Sequence, residues 1–102
     1  MTKVALFIKS KAKPGKRDAL RALWETHLRD SAAANPALEA YYYCYDNDDP
    51  DVVHLFEVYG DATAQAADAG GDVFRNFMAE AGPLLDGFPE VHQTTPMWIK
   101  VT

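Results

Sequence analysis

Residues 51–61 read D-V-V-H-L-F-E-V-Y-G-D, and this run restricts the fold of the chain more than any other. β-Branched, aliphatic and aromatic residues fill it. Asp48-Asp49-Pro50 precedes it and Gly60-Asp61 comes after it, which is the turn chemistry that brackets a strand. Side chains alternate between the faces of a strand, so Val53, Leu55, Glu57 and Tyr59 share one face and Val52, His54, Phe56 and Val58 the other. Both faces are mainly apolar, so both need cover. Glu57, His54 and Tyr59 are the polar groups within that covered run, where burial costs free energy unless a partner satisfies them, and a site can be built there. The same alternation keeps His54 off the face of Glu57 and Tyr59 unless a bulge intervenes.

Two other stretches make the same demand. Lys3 to Lys11, K-V-A-L-F-I-K-S-K, is unbroken apolar from Val4 to Ile8. Leu38 to Tyr45, L-E-A-Y-Y-Y-C-Y, is rich in aromatic strand formers, with Leu38, Ala40, Tyr42 and Cys44 on one stripe and Glu39, Tyr41, Tyr43 and Tyr45 on the other. The polar loop from Asp46 to Pro50 joins it to the 51–61 strand as an antiparallel hairpin. A last strand falls between Val91 and Val101, where Pro96 removes a ladder donor and points to an edge, a bulge or two shorter pieces.

Helices fill the intervals. Lys13-Pro14-Gly15-Lys16 is a turn, after which Leu20, Leu23, Trp24, His27, Leu28 and Ser31 keep the spacing of a buried helical stripe from Arg17 to about Ala34. Asn35-Pro36 ends that helix. Asp61 is placed to cap a weakly amphipathic segment from Ala62 to Ala69, which Gly70-Gly71 breaks. Asp72 then caps a second segment that buries Val73, Phe74, Phe77, Met78 and Ala81 and ends at Gly82-Pro83, with Leu84 and Leu85 adding a turn.

The order is β-α-β-β-α-β, an α+β fold of the ferredoxin-like split βαβ type with two helices on one face of a four-stranded antiparallel sheet. Helices cover one face only. A second copy of the chain is the economical cover for the other, so the expected assembly is a homodimer packed sheet to sheet, a dimeric α+β barrel.

At 102 residues, 48% hydrophobic and 25% charged, the chain has apolar material for one core, and residues 1–102 read as one domain. A formal net charge of −5 argues against nucleic acid or an anionic membrane as partner. Lys3, Lys9, Lys11, Lys13, Lys16 and Arg17 cluster near the start, where a solvated edge strand and a helix start account for them. Cys44 is the one cysteine, which excludes an internal disulfide and fits a reducing compartment. There is no charged-then-apolar leader and no apolar run near the ~20 residues that span a bilayer, so the expected location is the cytoplasm.

Several chemistries lack their residues. His27, His54 and His92 have no partner at metal-ligand spacing, and Cys44 lies mid-strand without a nucleophile signature. No G-x-S-x-G is present, and Gly70-Gly71 has no lysine after it to make a phosphate loop. What remains is an aromatic and carboxylate constellation: Tyr41, Tyr43 and Tyr45 on one strand face, Glu57 and Tyr59 on the neighbouring strand, and His27 on the helical stripe. Structural packing of the same groups, with tyrosine hydroxyls at the rim and a satisfied core histidine, is the competing account.

Lys13-Pro14-Gly15, Pro36, the loop pattern Asp46, Asp49, Pro50, the strand end Glu57, Val58, Tyr59, Asp61, then Ala64 and Phe74, together in this order, resemble the antibiotic biosynthesis monooxygenase-like domains over nearly the whole chain. That resemblance implies a dimeric ferredoxin-like protein that oxygenates a phenol, quinol or polyketide-type aromatic substrate with O2 and without metal, flavin, haem or any other cofactor. Deprotonating a phenol or its carbon acid gives an anion able to pass an electron to O2, so the protein supplies a base, hydrogen bonds and a dry pocket. The catalytic group expected on this basis is His27, His54, Glu57 and Tyr59. A histidine takes the proton, Glu57 orients or tunes it, and Tyr59 stacks against and hydrogen-bonds the substrate. Tyr43, Trp24, Asp68, Phe74 and Phe77 are the expected substrate contacts, and no metal ligand is expected. Tyr59 stands where the family commonly has Trp, Asp68 where it commonly has His, and Ala37 where it commonly has Gly. Those departures favour the alternative, a dimeric ligand-binding or structural module without turnover; an isomerase is a further option. Met78 stands where haem-degrading relatives carry a ligand histidine.

Overall fold

The computed structural model describes residues 2–100. Strand β1 (Val4–Lys11) leads into helix α1 (Arg17–Trp24), a π-helical turn (Glu25–Arg29) and helix α2 (Asp30–Ala34). Next come strands β2 (Leu38–Tyr45) and β3 (Val52–Tyr59), then helices α3 (Ala62–Ala69) and α4 (Asp72–Ala81), a 3-10 turn (Gly82–Leu84) and strand β4 (Glu90–Thr94). The sheet order is β2-β3-β1-β4 with every neighbouring pair antiparallel. This is the split βαβ arrangement read from the sequence, with β3 in the interior of the sheet. One hydrophobic cluster joins Val4, Leu6 and Tyr59 to Leu38 and Ala64. A second joins Ala12, Leu20 and Ala81 to Leu23, Phe77 and Leu85.

The family-like motifs of the sequence anchor the hairpin loop. Gly15 has φ +75°, a left-handed conformation suited to glycine, and its N–H donates to Asp51 Oδ1 at 3.1 Å. Arg17 Nη1 donates to the carbonyls of Asp46, Asp49 and Val52 at 3.1, 2.9 and 3.2 Å. The Arg17 guanidinium also lies 3.9 Å from the Tyr45 ring centroid. The start of α1 is thereby tied to the β2–β3 turn.

The structure differs locally from the sequence reading. The helix after β1 is not uniform, because the turn from Glu25 to Arg29 is π-helical. Thr26 Oγ1 donates to the Ala22 carbonyl at 2.9 Å, a side-chain competitor for the backbone ladder at the point where it changes pitch. A π turn holds more residues than an α turn, which rotates the next helical turn about its axis: Ser31, expected inside, is exposed, and Ala32 is half-buried instead. In β2 the register shifts between Leu38 and Ala40, leaving Glu39 as the extra residue of a bulge. Leu38 is thereby turned onto the Val4, Leu6 and Tyr59 cluster and away from the Ala40, Tyr42 and Cys44 stripe.

Asp61 caps α3 as expected, its carboxylate accepting from Ala64 N–H at 2.8 Å. Asp72 does not cap α4. It is the first helical residue and pairs with Arg75, while Gly71 holds the cap position. Along α4 only Ala81 is buried; Phe77 and Met78 are half-buried and Val73 and Phe74 exposed, because this side of the helix borders a cavity. Strand β4 ends at Thr94, two residues before Pro96, and pairs only with β1 at the sheet edge. The Val101 end of the expected last strand lies outside the described residues.

Candidate functional site

A cavity of about 410 Å3 lies between the sheet and the helices. Leu6, Ile8, Val53 and Leu55 form its sheet floor, and Leu28, Phe74, Phe77 and Met78 face them from the helices. Aromatic groups from α1 and β2 close one side. Trp24 Nε1 donates to Tyr41 Oη at 3.0 Å, and its ring centroid lies 4.4 Å from that of Tyr43. Burial pushes the Tyr41 and Tyr43 hydroxyls up from their ordinary values, so both stay neutral phenols. Glu57 and Asp68 are the charged residues of the lining, which holds no Lys, Arg or His among the described residues.

Glu57 and Tyr59 point to the helix side because they alternate with Phe56 and Val58 along β3, whose register with β1 is continuous from Tyr59 to Val52. Both are nearly inaccessible, at 8% and 5% exposure. Tyr59 Oη lies 2.9 Å from Asp68 Oδ2 and 3.3 Å from Glu57 Oε1. Asp68, an exposed residue of α3 at the edge of the cavity, also accepts from Asn35 Nδ2 at 2.9 Å. The Glu57 carboxyl is raised above the ordinary carboxylate value, first by burial and further by the Asp68 charge, against the lowering pull of the Tyr59 hydrogen bond. Burial, then the Glu57 charge, raises the Tyr59 hydroxyl.

Of the residues singled out in the sequence, Glu57, Tyr59, Tyr43, Trp24, Asp68, Phe74 and Phe77 all border this one cavity. The two histidines do not. His54 faces the opposite side of the sheet, where its Nε2 lies 2.7 Å from Asp46 Oδ2. His27 lies in the π turn, paired with Glu80 and 6.3 Å, centroid to centroid, from Phe77. The sequence places Tyr41 in the aromatic constellation but not among the expected substrate contacts, and it gives Asn35 no place in the site. Tyr41 shares the alternation stripe of Tyr43 and was within reach of the same argument; Asn35 read only as a helix terminator. Among the described residues no three of His, Cys, Asp or Glu converge as a metal-holding group. No helix among them is long and apolar enough to cross a membrane.

A split βαβ sheet with an aromatic, carboxylate-bearing cavity under its helices defines a class of small ferredoxin-like α+β proteins. Residues 3–80 match the antibiotic biosynthesis monooxygenase model, and the chain belongs to that family. The structure is similar to that of a Chloroflexus aurantiacus protein provisionally assigned as an antibiotic biosynthesis monooxygenase, at 26% identity and a TM-score of 0.82 over 98% of each chain. It is also similar to a Nitrosomonas europaea protein of unknown function, at 27% identity and a TM-score of 0.83 over 100% of this chain and 96% of that one. Rv0793 of Mycobacterium tuberculosis is 26% identical, with a TM-score of 0.84 over 98% of this chain and 100% of its own. No curated protein matches the sequence.

Proposed function

We propose that the protein is a cofactor-independent monooxygenase of a neutral phenolic, quinol or anthrone-like substrate, with Glu57 as the base. The observation that carries this reading is the placement of one desolvated carboxyl, Glu57, on the floor of an aromatic-walled cavity. A carboxyl raised by burial is a better match for a weakly acidic phenol or carbon acid than one in water. Trp24, Tyr43 and Phe77 offer rings for stacking, and the neutral Tyr41 and Tyr43 hydroxyls offer hydrogen bonds. Two carboxylates and no cation in the lining disfavour an anionic substrate.

The reaction balances without a further oxidant. Glu57 takes a proton from the substrate, the anion passes one electron to O2, and superoxide and substrate radical recombine at carbon as a peroxide anion, which takes up a proton from water in place of the one removed. Loss of water from the peroxide leaves a carbonyl, so a CH2 group and O2 become C=O and H2O. Oxygen uptake measured against a panel of quinols and anthrones is the test, with 18O2 labelling of the product. Uptake that depends on a panel member, with one labelled atom in the product, is the expected result. Binding of panel members by folded protein with no uptake from any of them overturns the reading in favour of a ligand-binding module, the reading that Asp68 and Tyr59 at the two departing positions favour.

The working unit in this proposal is a homodimer. On the sheet face away from the helices Phe56 lies between Phe7 and Tyr42, with centroid separations of 5.0 and 5.7 Å, and Phe7 and Tyr42 are 49% and 61% exposed. A second copy covering this ladder would bury it, and sedimentation at micromolar concentration reads the outcome.

A further inference from the structure

Tyr59 has fewer hydrogens than the contacts around it require. Its hydroxyl carries a single hydrogen, yet Tyr59 Oη lies within hydrogen-bond reach of two carboxyl groups, Asp68 Oδ2 at 2.9 Å and Glu57 Oε1 at 3.3 Å. The hydrogen can satisfy only one. The shorter contact claims it, so Tyr59 donates to Asp68, whose position is further fixed by Asn35 Nδ2. The remaining contact is satisfied if Glu57 is protonated and donates to the lone pair of Tyr59. Glu57 and Tyr59 are buried and Asp68 is exposed, so the three groups form a chain that runs from the cavity floor to solvent.

We infer that Tyr59 is a proton relay between Glu57 and Asp68, which discharges the cavity base to solvent. Resting on the reading of Glu57 as base, it explains how a buried carboxyl that has taken a substrate proton is returned to its basic form. Both protons move together: the Glu57 carboxyl O–H bond breaks as its proton bonds to Tyr59 Oη, and the Tyr59 proton passes to Asp68. Glu57 is left as carboxylate, Tyr59 remains a neutral phenol, and Asp68 releases the proton to water. Movement in two separate steps would require a buried tyrosinate beside carboxylates, which the raised Tyr59 hydroxyl disfavours. The other titratable groups on the cavity wall are Tyr41, which adjoins Glu57, and Tyr43; both are held neutral by burial and lie outside the chain.

The test needs no substrate, which separates it from the oxygenase reading. The Glu57 midpoint is followed through its side-chain carboxyl 13C shift against pH in four proteins: wild type, Asp68→Asn, Tyr59→Phe and the double variant, with amide spectra confirming the fold of each. Asp68 is exposed and Tyr59→Phe keeps the ring, so the substitutions leave the packing in place. With Tyr59 present, Asp68→Asn frees the hydroxyl to turn to the Glu57 carboxylate, and the Glu57 midpoint is expected to fall by about one pH unit, the scale of a directly linked pair. In the Tyr59→Phe background the same substitution is expected to move it by less than half as much. Equal shifts in the two backgrounds mean that charge acts through space alone, and no shift in either means that the groups are not linked; each result overturns the relay. Linked titration without oxygen uptake would leave the relay standing and remove the oxygenase reading.

Discussion

The two faces of the sheet use the same strands to opposite ends. On β3, Glu57 points under the helices into an aromatic-walled cavity, while His54, three positions earlier, points to the open face and meets Asp46 in solvent. Burial raises the Glu57 carboxyl. The His54 hydrogen bond, helped by the Asp48 and Asp49 amides, lowers Asp46 to about 2. A carboxyl on one face is prepared to take a proton and a carboxyl on the other to keep its charge. The proposed chemistry accordingly rests on the covered face, and the histidine on the other face has no part in it.

The strongest way to break that comparison is to remove one polar group from each face. Glu57→Gln is expected to lower oxygen uptake by about 10²- to 10⁴-fold, the range for losing a general base. His54→Gln is expected to leave it within about twofold, since no group of the open face borders the cavity through His54. Steady-state uptake with the same substrate measures both. Comparable losses from the two variants would place the chemistry on neither face alone.

A somewhat smaller effect tests what the open face does instead. Phe56→Arg sets a charge at the centre of the Phe7, Phe56, Tyr42 ladder, and a two-fold interface receives it twice. Dimer dissociation is expected to rise by about 100-fold or more, on the scale of several kcal/mol for a desolvated unpaired charge. Sedimentation velocity reads it. A wild-type protein that sediments as a monomer at micromolar concentration would remove the interface altogether.

How much of this is legible in the sequence depends on how far each feature reaches along the chain. The facing of Glu57, Tyr59 and His54 comes from the period of a strand, which the backbone enforces whatever the packing, and the Asp61 cap spans three residues. Leu38 falls on the wrong stripe in the sequence reading because the bulge at Glu39 is set by pairing with β3 and leaves no trace in the composition of β2. Ser31 is left more exposed than Ala32 after one π turn, which helical periodicity does not foresee. Within the site, the aromatic and carboxylate members are legible as residue types on shared faces. The contacts among Asn35, Asp68 and Tyr59 are not, because they join three separate elements. His27 and His54 stand out in the sequence for what histidine can do, and only the folded positions show that neither borders the cavity.

The smallest effect is on stability, and its sign should reverse between the faces. Asp46 is held below its ordinary value of 3.8, so it contributes stability that is present above that pH and is lost as pH falls through about 2. Asp46→Asn keeps an oxygen for the Asp48 and Asp49 amides but loses the charge that His54 meets. Its melting temperature is expected to lie below wild type near pH 6, with the gap closing as pH approaches 2. Glu57 is raised above its ordinary 4.5, so its stabilising contribution is complete below that pH and is lost as pH rises through the folded value, because unfolding then frees a carboxylate that burial penalises. Glu57→Gln removes the penalty. Its melting temperature is expected to exceed wild type at pH 8, with the advantage shrinking toward pH 4. Calorimetric scans across pH on the three proteins give both gaps. An advantage for Glu57→Gln that stays constant with pH would assign it to packing, and the carboxyl under the helices would then be no more desolvated than its counterpart on the open face.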